Sequence, residues 1–374
     1  MRVLTIAHNA VAESNRRRTE ALSKLAGVEV SLLTPRWWFE EGRRIDVSHS
    51  ARWRVGRTLF TGNGTRYLYV SGLVEAIRAT RPDVLDLFEE PFSMVALQTL
   101  LLRDLLAPQA ALVFYSAVNV HRQWRWPYRA IERTLLRRAD GAHAPNRDVP
   151  DVLRAKGFQR SGQPVSVIPL GVDVERFSSA TPMDVPIAPR PRIGFVGRLE
   201  PVKGLEVLLD AMQYLTTPAS LVIFGEGSEK GRLMPRLRSQ RVQVLPPVSY
   251  ADMPAALKAL DVLVLPSVTI LPVHREQFGR VLVEAMAAGV PVVGSSSGAI
   301  PEVIGDAGLV VLERNARALA AAIDRVLTEP GLRQTFVERG RRRVQDCFAW
   351  PVIAEQTVDL FRSAVARRRQ AVGA

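Results

Sequence analysis

The stretch RIGFVGRLEPVKGLEVLLDAM, residues 192–212, holds a strand, a loop and a helix in direct succession. RIGFVG is a short apolar run with no polar alternation, the pattern of a strand covered on both faces. In GLEVLLDAM, Leu205, Leu208 and Leu209 recur at helical spacing. The same unit repeats downstream: SLVIFG (220–225) and a helix over 229–239, VQVLP (242–246) and a helix over 251–259, then DVLVLP (261–266), a helix over 279–288 and VPVVG (290–294). Upstream, RVLTIA (2–7), a basic helix over 16–25, VEVSLLT (28–34), DVLDLF (83–88), a leucine-rich helix over 94–106, ALVFYSAV (111–118) and IERTLLRRADGAHAPN (131–146) continue the alternation. Strands alternating with helices predict α/β domains built on parallel, doubly wound sheets. Prolines gather between Gly162 and Pro191 with little periodicity, which marks a boundary. The chain therefore divides into 1–171, 172–349 and a C-terminal segment, 350–374. Residues 36–66 show no period and are expected to be an irregular loop reaching ligand or surface.

The 374 residues, 47% hydrophobic and 23% charged, suit a two-domain globular protein and exclude disorder, collagen-like repetition and a disulfide miniprotein. Cys347 is the only cysteine, so no internal disulfide forms and a reducing compartment is expected. No uncharged apolar run reaches the roughly 18 residues of a membrane span. The opening MRVLTIAHNAVAES is too short in its apolar part for a signal peptide, so a cytoplasmic location is expected. The net charge of +13 raises nucleic acid as a partner, but 45 of the 50 basic residues are arginines scattered along the chain. No helix-turn-helix, zinc-ligand spacing or aromatic RNA-binding signature accompanies them, and nucleic acid is not expected. The charge is nonetheless uneven. Residues 1–171 hold 25 basic and 16 acidic residues, and five of the six tryptophans. Arg and Trp interleave in RWWFEEGRR, RWR and HRQWRW, which suits a peripheral contact with an anionic inner membrane face and a lipid-linked acceptor. The competing reading is a soluble acceptor, with the tryptophans in core or cleft.

Ligands of open α/β sheets bind beyond the carboxyl ends of the strands. Three loops there carry chemistry. GRLEPVKG (197–204) sets Arg198 and Lys203 in one loop between Gly197 and Gly204, just before a helix, a cation pair suited to a diphosphate or, equally, to solvent. IFGEGSEK (223–230) holds Gly225 and Gly227 after a strand, but Gly231 is misplaced for a dinucleotide fingerprint, and a tight turn is the better reading. REQFGRVLVEAMAAGVPVVG (275–294) places Glu276 before Phe278 and Gly279, and Glu284 inside the helix that follows. Carboxylates accept hydrogen bonds from sugar and ribose hydroxyls, and the helix N-terminus between them favours phosphate. That order, carboxylate, helix N-terminus, carboxylate, matches the length of a nucleotide sugar. An exposed Glu276 and a salt-bridged Glu284 would be the bland alternative.

Glu276 and Glu284, with seven residues between them, resemble the paired-glutamate motif of family-4 retaining glycosyltransferases. The likeness extends through VIPLGVDVERF (167–177), GFVGRLEPVKGLEVLLDAM (194–212), LVIFGEGSEK, ALDVLVLPS (259–267), EQFGRVLVEAMAAGVPVVGSSSGAIPEVIGDAGLVV (276–311) and FAW at Trp350, in order and spacing. It implies a GT-B fold: two Rossmann-like doubly wound domains facing across a cleft, the second binding a nucleoside-diphosphate sugar, the first an acceptor, and the segment after Trp350 crossing back to the first. It implies that Arg198 and Lys203 hold the diphosphate, that Glu276 binds donor-sugar hydroxyls, that the backbone of Phe278, Gly279 and Arg280 approaches sugar or phosphate, and that Glu284 holds the ribose. The first half departs from the pattern. AHNAVAESNR lacks the Gly-Gly turn after the first strand, leaving His8 as a candidate at that strand end. SAVNVHRQWRW lacks the histidine directly after the strand, so Asn119 or the displaced His121 is the acceptor-side substitute.

The implied activity is a retaining transfer of a sugar, of hexose type, from nucleoside diphosphate to an acceptor hydroxyl, in glycan, glycolipid or glycosylated-metabolite synthesis. No cofactor and no metal are expected, since Arg198 and Lys203 do the charge work and no Asp-x-Asp pair is present. The alternatives are a non-catalytic nucleotide-sugar- or carbohydrate-binding relative, or another GT-B enzyme such as a phosphorylase or an epimerase.

Overall fold

Apolar runs without polar alternation form the inner strands of two separate parallel sheets, as expected. The computed structural model describes residues 1–40, 43–47, 53–159, 162–185, 189–237 and 241–373. It forms two compact units, one comprising Met1–Pro169 with the stretch from Trp350 onward, the other Leu170–Ala349.

The sheet of the first unit consists of β1 (Arg2–Ile6), β2 (Glu29–Pro35), β3 (Trp53–Gly56), β4 (Val84–Leu87), β5 (Ala111–Tyr115), β6 (Gly141–Ala144) and β7 (Val165–Val167). Every pairing is parallel, in the order β7-β6-β5-β4-β1-β2-β3. The central strand β1 registers Ile6 against Leu33 on one side and Leu87 on the other. The period of two sorts its side chains. Leu4 and Ile6 join Leu85, Leu87, Leu112 and Phe114 on one face. Val3 joins Val84, Ala111 and Val113 on the other, where Ile353, Val358 and Phe361 of the helix Trp350–Gly373 cover them. An ion pair between Arg367 and Asp140, 3.0 Å, pins that helix further along.

The second unit repeats the plan with β8 (Arg192–Val196), β9 (Ser220–Phe224), β10 (Val242–Leu245), β11 (Val262–Leu265), β12 (Val292–Ser295) and β13 (Gly308–Val311), all parallel, ordered β10-β9-β8-β11-β12-β13. Gly194 in β8 is glycine for room: a Cβ there would lie 2.0 Å from Leu260. In both sheets the chain order reverses beside the central strand, between β1 and β4 and between β8 and β11. Loops leaving those strand pairs diverge to opposite faces, and the gap between them is where ligands of such sheets bind.

The stretch 36–66 corrects the expectation of an irregular loop. Among its described residues, Trp37–Glu40 pairs antiparallel with Arg43–Asp46, β3 extends the main sheet beside β2, and Thr58–Leu59 pairs with Leu68–Tyr69. These strands are only two to four residues long, too short to show a period, and in the first hairpin Arg44 lies over the Trp37 ring at 4.6 Å and Phe39 edge-on to it at 5.4 Å. The helix expected over 229–239 runs Lys230–Leu237, and 238–239 lie outside the described residues.

Candidate functional site

At the switch point of the second sheet, the loop after β8 and the loop after β11 bring distant charges together. Lys203 ends a 3-10 turn, Pro201–Lys203, and its Nζ donates to Oε2 of Glu276 at 2.7 Å. The Ser267 hydroxyl, two residues beyond β11, donates to the same oxygen at 2.7 Å. Glu276 is buried, its side chain 6% exposed, while Lys203 keeps 17%. Burial works to raise the Glu276 carboxyl, but the Lys203 charge and the hydrogen bonds from Lys203 and Ser267 outweigh it and hold the group below its ordinary value. The carboxylate is thus ionised, and Lys203 has two further N–H donors to offer. His274, which the sequence reading passed over, lies in the same field. Burial lowers its pKa, Glu276 raises it, and Lys203 and Arg198 lower it again. Its Nε2 is buried with no partner among the described residues.

The glycines of these loops act through close backbone packing. Gly204 has φ +67°, and a Cβ on it would lie 2.0 Å from the carbonyl oxygen of Pro266, so the two switch-point loops touch main chain to main chain. Gly225 approaches the Gly197 carbonyl equally closely, and Gly227 that of Leu199. The Gly-x-Gly after β9 is therefore a packing device that braces the Arg198 loop. Arg198 itself is more than half exposed and ion-paired with Glu200 at 2.7 Å.

Gly279, in the left-handed region at φ +81°, is the N-cap of the helix Arg280–Ala288, and no side chain caps that helix. Within its first turn the Leu282 amide donates to the Gly279 carbonyl at 2.9 Å, and the positive end of the helix dipole favours an anion there. Phe278 is buried edge-on to Phe348 and anchors the turn from behind. Glu284, the fifth helical residue, is buried, 7% exposed, on a helix whose Ala285 and Ala288 are buried too. The structure thus groups Lys203, Glu276, Ser267 and His274 around one spot, with Arg198 at its edge and Gly279 opening the adjoining helix.

The first unit carries its own charged cluster at the matching place. His8, two residues beyond β1, donates or accepts through Nδ1 at 2.6 Å and 2.8 Å from the two oxygens of Glu89, which follows β4. The His8 amide and the Tyr67 hydroxyl also donate to Glu89, at 2.7 and 2.6 Å, and the Trp38 ring lies 4.6 Å from the imidazole. Burial lowers the His8 pKa, but the Glu89 charge and hydrogen bond outweigh it, and the imidazole ends above its ordinary value. Glu90 points to the neighbouring loop, accepting from the Ser116 hydroxyl at 2.7 Å and the Ala117 amide at 2.8 Å. Burial pushes its pKa up to about 7. It fixes the start of the segment that carries Asn119, which is buried, and His121, which is exposed. Glu89 and Glu90 were absent from the sequence reading, although a Glu-Glu pair directly after DVLDLF was a legible signal.

Residues 12–176 match the family model described as Glycosyltransferase Family 4, and residues 184–343 that described as Glycosyl transferases group 1. The chain belongs to glycosyltransferase family 4. This family-4 chain is 31% identical over 255 residues to glycogen synthase of Mycobacterium tuberculosis, covering 64% of itself and 58% of that protein. It is 35% identical over 231 residues to phosphatidyl-myo-inositol mannosyltransferase of Mycobacterium leprae, covering 58% of each. The matched part thus spans less than two thirds of either relative. Among solved structures, sucrose-phosphate synthase of Thermosynechococcus elongatus matches with a TM-score of 0.72 at 23% identity, over 97% of this chain and 99% of that one, which shows the GT-B fold. No described helix of the family-4 chain is long and apolar enough to cross a membrane.

Proposed function

We propose that this protein is a retaining glycosyltransferase that moves a sugar from a nucleoside diphosphate to an acceptor hydroxyl. The observation that carries the reading is the Lys203–Glu276–Ser267 cluster beside the helix N-terminus at Gly279, at the switch point of the second sheet. A nucleotide sugar presents hydroxyls, a diphosphate and a ribose in that order. Glu276 would accept from the donor-sugar hydroxyls, with its charge held in place by Lys203. Lys203, Arg198 and the amides around Gly279 and Arg280 would take the diphosphate, and Glu284 the ribose hydroxyls.

When the bond between the anomeric carbon and the phosphate oxygen breaks, negative charge grows on the leaving diphosphate, and fixed cations and amides aimed there stabilise it. The acceptor oxygen bonds to the anomeric carbon on the face the phosphate leaves, and the departing phosphate oxygen takes the acceptor proton. Charge and protons balance without a protein nucleophile, and Lys203 and Arg198 serve where a metal ion would otherwise be needed. The acceptor would be bound by the first unit, with the His8–Glu89 pair and the loop held by Glu90 as its candidate contacts. Incubation with a panel of nucleoside-diphosphate sugars, with and without EDTA, tests this. Donor turnover that survives EDTA and gives a product of unchanged anomeric configuration is expected. Inversion, or turnover abolished by EDTA, would refute the mechanism.

A further inference from the structure

Apart from these loops, the first unit carries an open cavity of about 610 Å³ whose charge is one-sided. Arg122, Arg129, Arg133, Arg137 and Lys156 line it, and Glu132 is the one carboxylate in its wall. That carboxylate is already committed, accepting from Lys156 Nζ at 2.6 Å. Among the described residues none of the four arginines has an ion-pair partner, and Arg122 instead lies over the Trp124 ring at 4.5 Å. Arg129, Arg133 and Arg137 stand four residues apart on the helix Tyr128–Arg138, so their guanidinium stems rise from one face, roughly 6 Å apart along the axis. Like charges at that spacing destabilise a helix. The opposite face, with Ile131 and Leu135, is buried in the core, so the helix cannot turn its arginines away. Trp124 lies against Phe92 at 3.9 Å, and its Nε1 is buried with no acceptor among the described residues. Unrelieved repulsion, an orphaned donor and a ready-made cavity coincide in one place.

We propose that this cavity binds a phosphoryl-bearing polyanion. Guanidinium groups match phosphate oxygens two bonds at a time, and several converging on one space favour a group with several acceptor oxygens over a lone carboxylate. The volume exceeds what one inorganic phosphate fills, so the ligand is a diphosphate, a phosphomonoester on a larger body, or a phospholipid headgroup. Trp126, 84% exposed beside these arginines, supplies the means to tell a lipid source from a soluble one, because an interfacial tryptophan matters only to the former. None of these residues belongs to the proposed donor site, so the two readings stand or fall separately.

The full chain carrying Arg198→Ala and Lys203→Ala, which disables the proposed donor site, is titrated with inorganic pyrophosphate and sedimented with vesicles of phosphatidic acid in phosphatidylcholine. Adding Arg133→Gln and Arg137→Gln is expected to weaken binding at least tenfold in one or both arms, while Arg133→Lys with Arg137→Lys keeps it within a few-fold. Relief of repulsion should leave the glutamine variant melting no lower than its parent, which separates lost binding from lost folding. If Trp126→Ala reduces vesicle binding and spares pyrophosphate, the source is lipid; pyrophosphate binding without vesicle binding marks a soluble ligand. Equal affinities for both probes with and without the glutamine substitutions, or no binding of either by the parent, would overturn the proposal.

Discussion

Replacing Lys203 by methionine removes the cation from a carboxylate that is 6% exposed. At 2.7 Å the two charges attract by about 6 kcal/mol gross at an effective dielectric of 20, most of it offset by the desolvation that burying them cost. Breaking such a pair from one side is worth more than the pair itself, because the partner stays buried and uncompensated. Since Glu276 keeps the Ser267 hydroxyl, the loss belongs at the lower end of the usual range, about 3 kcal/mol. For a unit of this size that lowers the melting temperature by about 6–12 °C. Adding Glu276→Gln to Lys203→Met removes the orphaned charge, so the double variant is expected to recover to within about 1.5 kcal/mol of the parent. The pH dependence follows from the lowered Glu276 pKa. The pair's stabilisation is present above the ordinary value of 4.5 and is lost as the pH falls through the folded value. Thermal unfolding of the parent, both single variants and the double variant, at pH 7 and again near pH 4, measures all of this. Losses that add to within about 0.5 kcal/mol in the double variant would refute the reasoning, since coupled neighbours do not add.

Gly204→Ala forces a Cβ to within 2.0 Å of the Pro266 carbonyl at a φ of +67°, and is expected to cost upwards of about 1–3 kcal/mol and to weaken nucleoside-diphosphate binding by displacing Lys203; thermal unfolding beside calorimetric titration checks both. Asp86→Ala leaves Arg18 buried and unpaired, and Thr5 without its acceptor, in the centre of the first sheet. The expected loss is about 3–5 kcal/mol, and a melting shift under about 3 °C would contradict it. Glu90, with its pKa pushed up to about 7, stays protonated in the folded state where the unfolded chain has ionised. Stability relative to Glu90→Gln is therefore retained below pH 4.5 and falls as the pH rises to about 7, by at most about 3 kcal/mol, which parallel denaturant titrations at pH 4.5 and pH 8 would reveal.

The sheets were legible because both faces of each inner strand are covered, so that DVLVLP and RIGFVG stand out as unbroken apolar runs. The strands within 36–66 were not, because each is only two to four residues long, too short to show a period. Lys203 and Glu276 could each be picked out, since both sit in loops leaving strand ends. Their ion pair spans 73 residues of sequence and could not be read before the strand order was known. Ser267 and His274 look ordinary one at a time, and only the folding of the β11 loop brings the Ser267 hydroxyl onto Glu276 and His274 into its field. The same holds for His8 and Glu89, 81 residues apart, joined because β1 and β4 are neighbours at the switch point. The glycines after β9 suggested a tight turn rather than a dinucleotide fingerprint, and their close fit against the carbonyls of Gly197 and Leu199 became visible only in the fold.

The central claim is that the switch-point loops of the second unit grip a nucleoside diphosphate through Lys203 and Arg198. Calorimetric titration of the full chain with uridine, guanosine and adenosine diphosphates, each beside its monophosphate, tests it most directly. The account expects one diphosphate to bind at least tenfold tighter than its monophosphate, and that margin to collapse when Arg198→Ala and Lys203→Ala are combined. A diphosphate and monophosphate bound equally well, or a margin unchanged in the double variant, would contradict it.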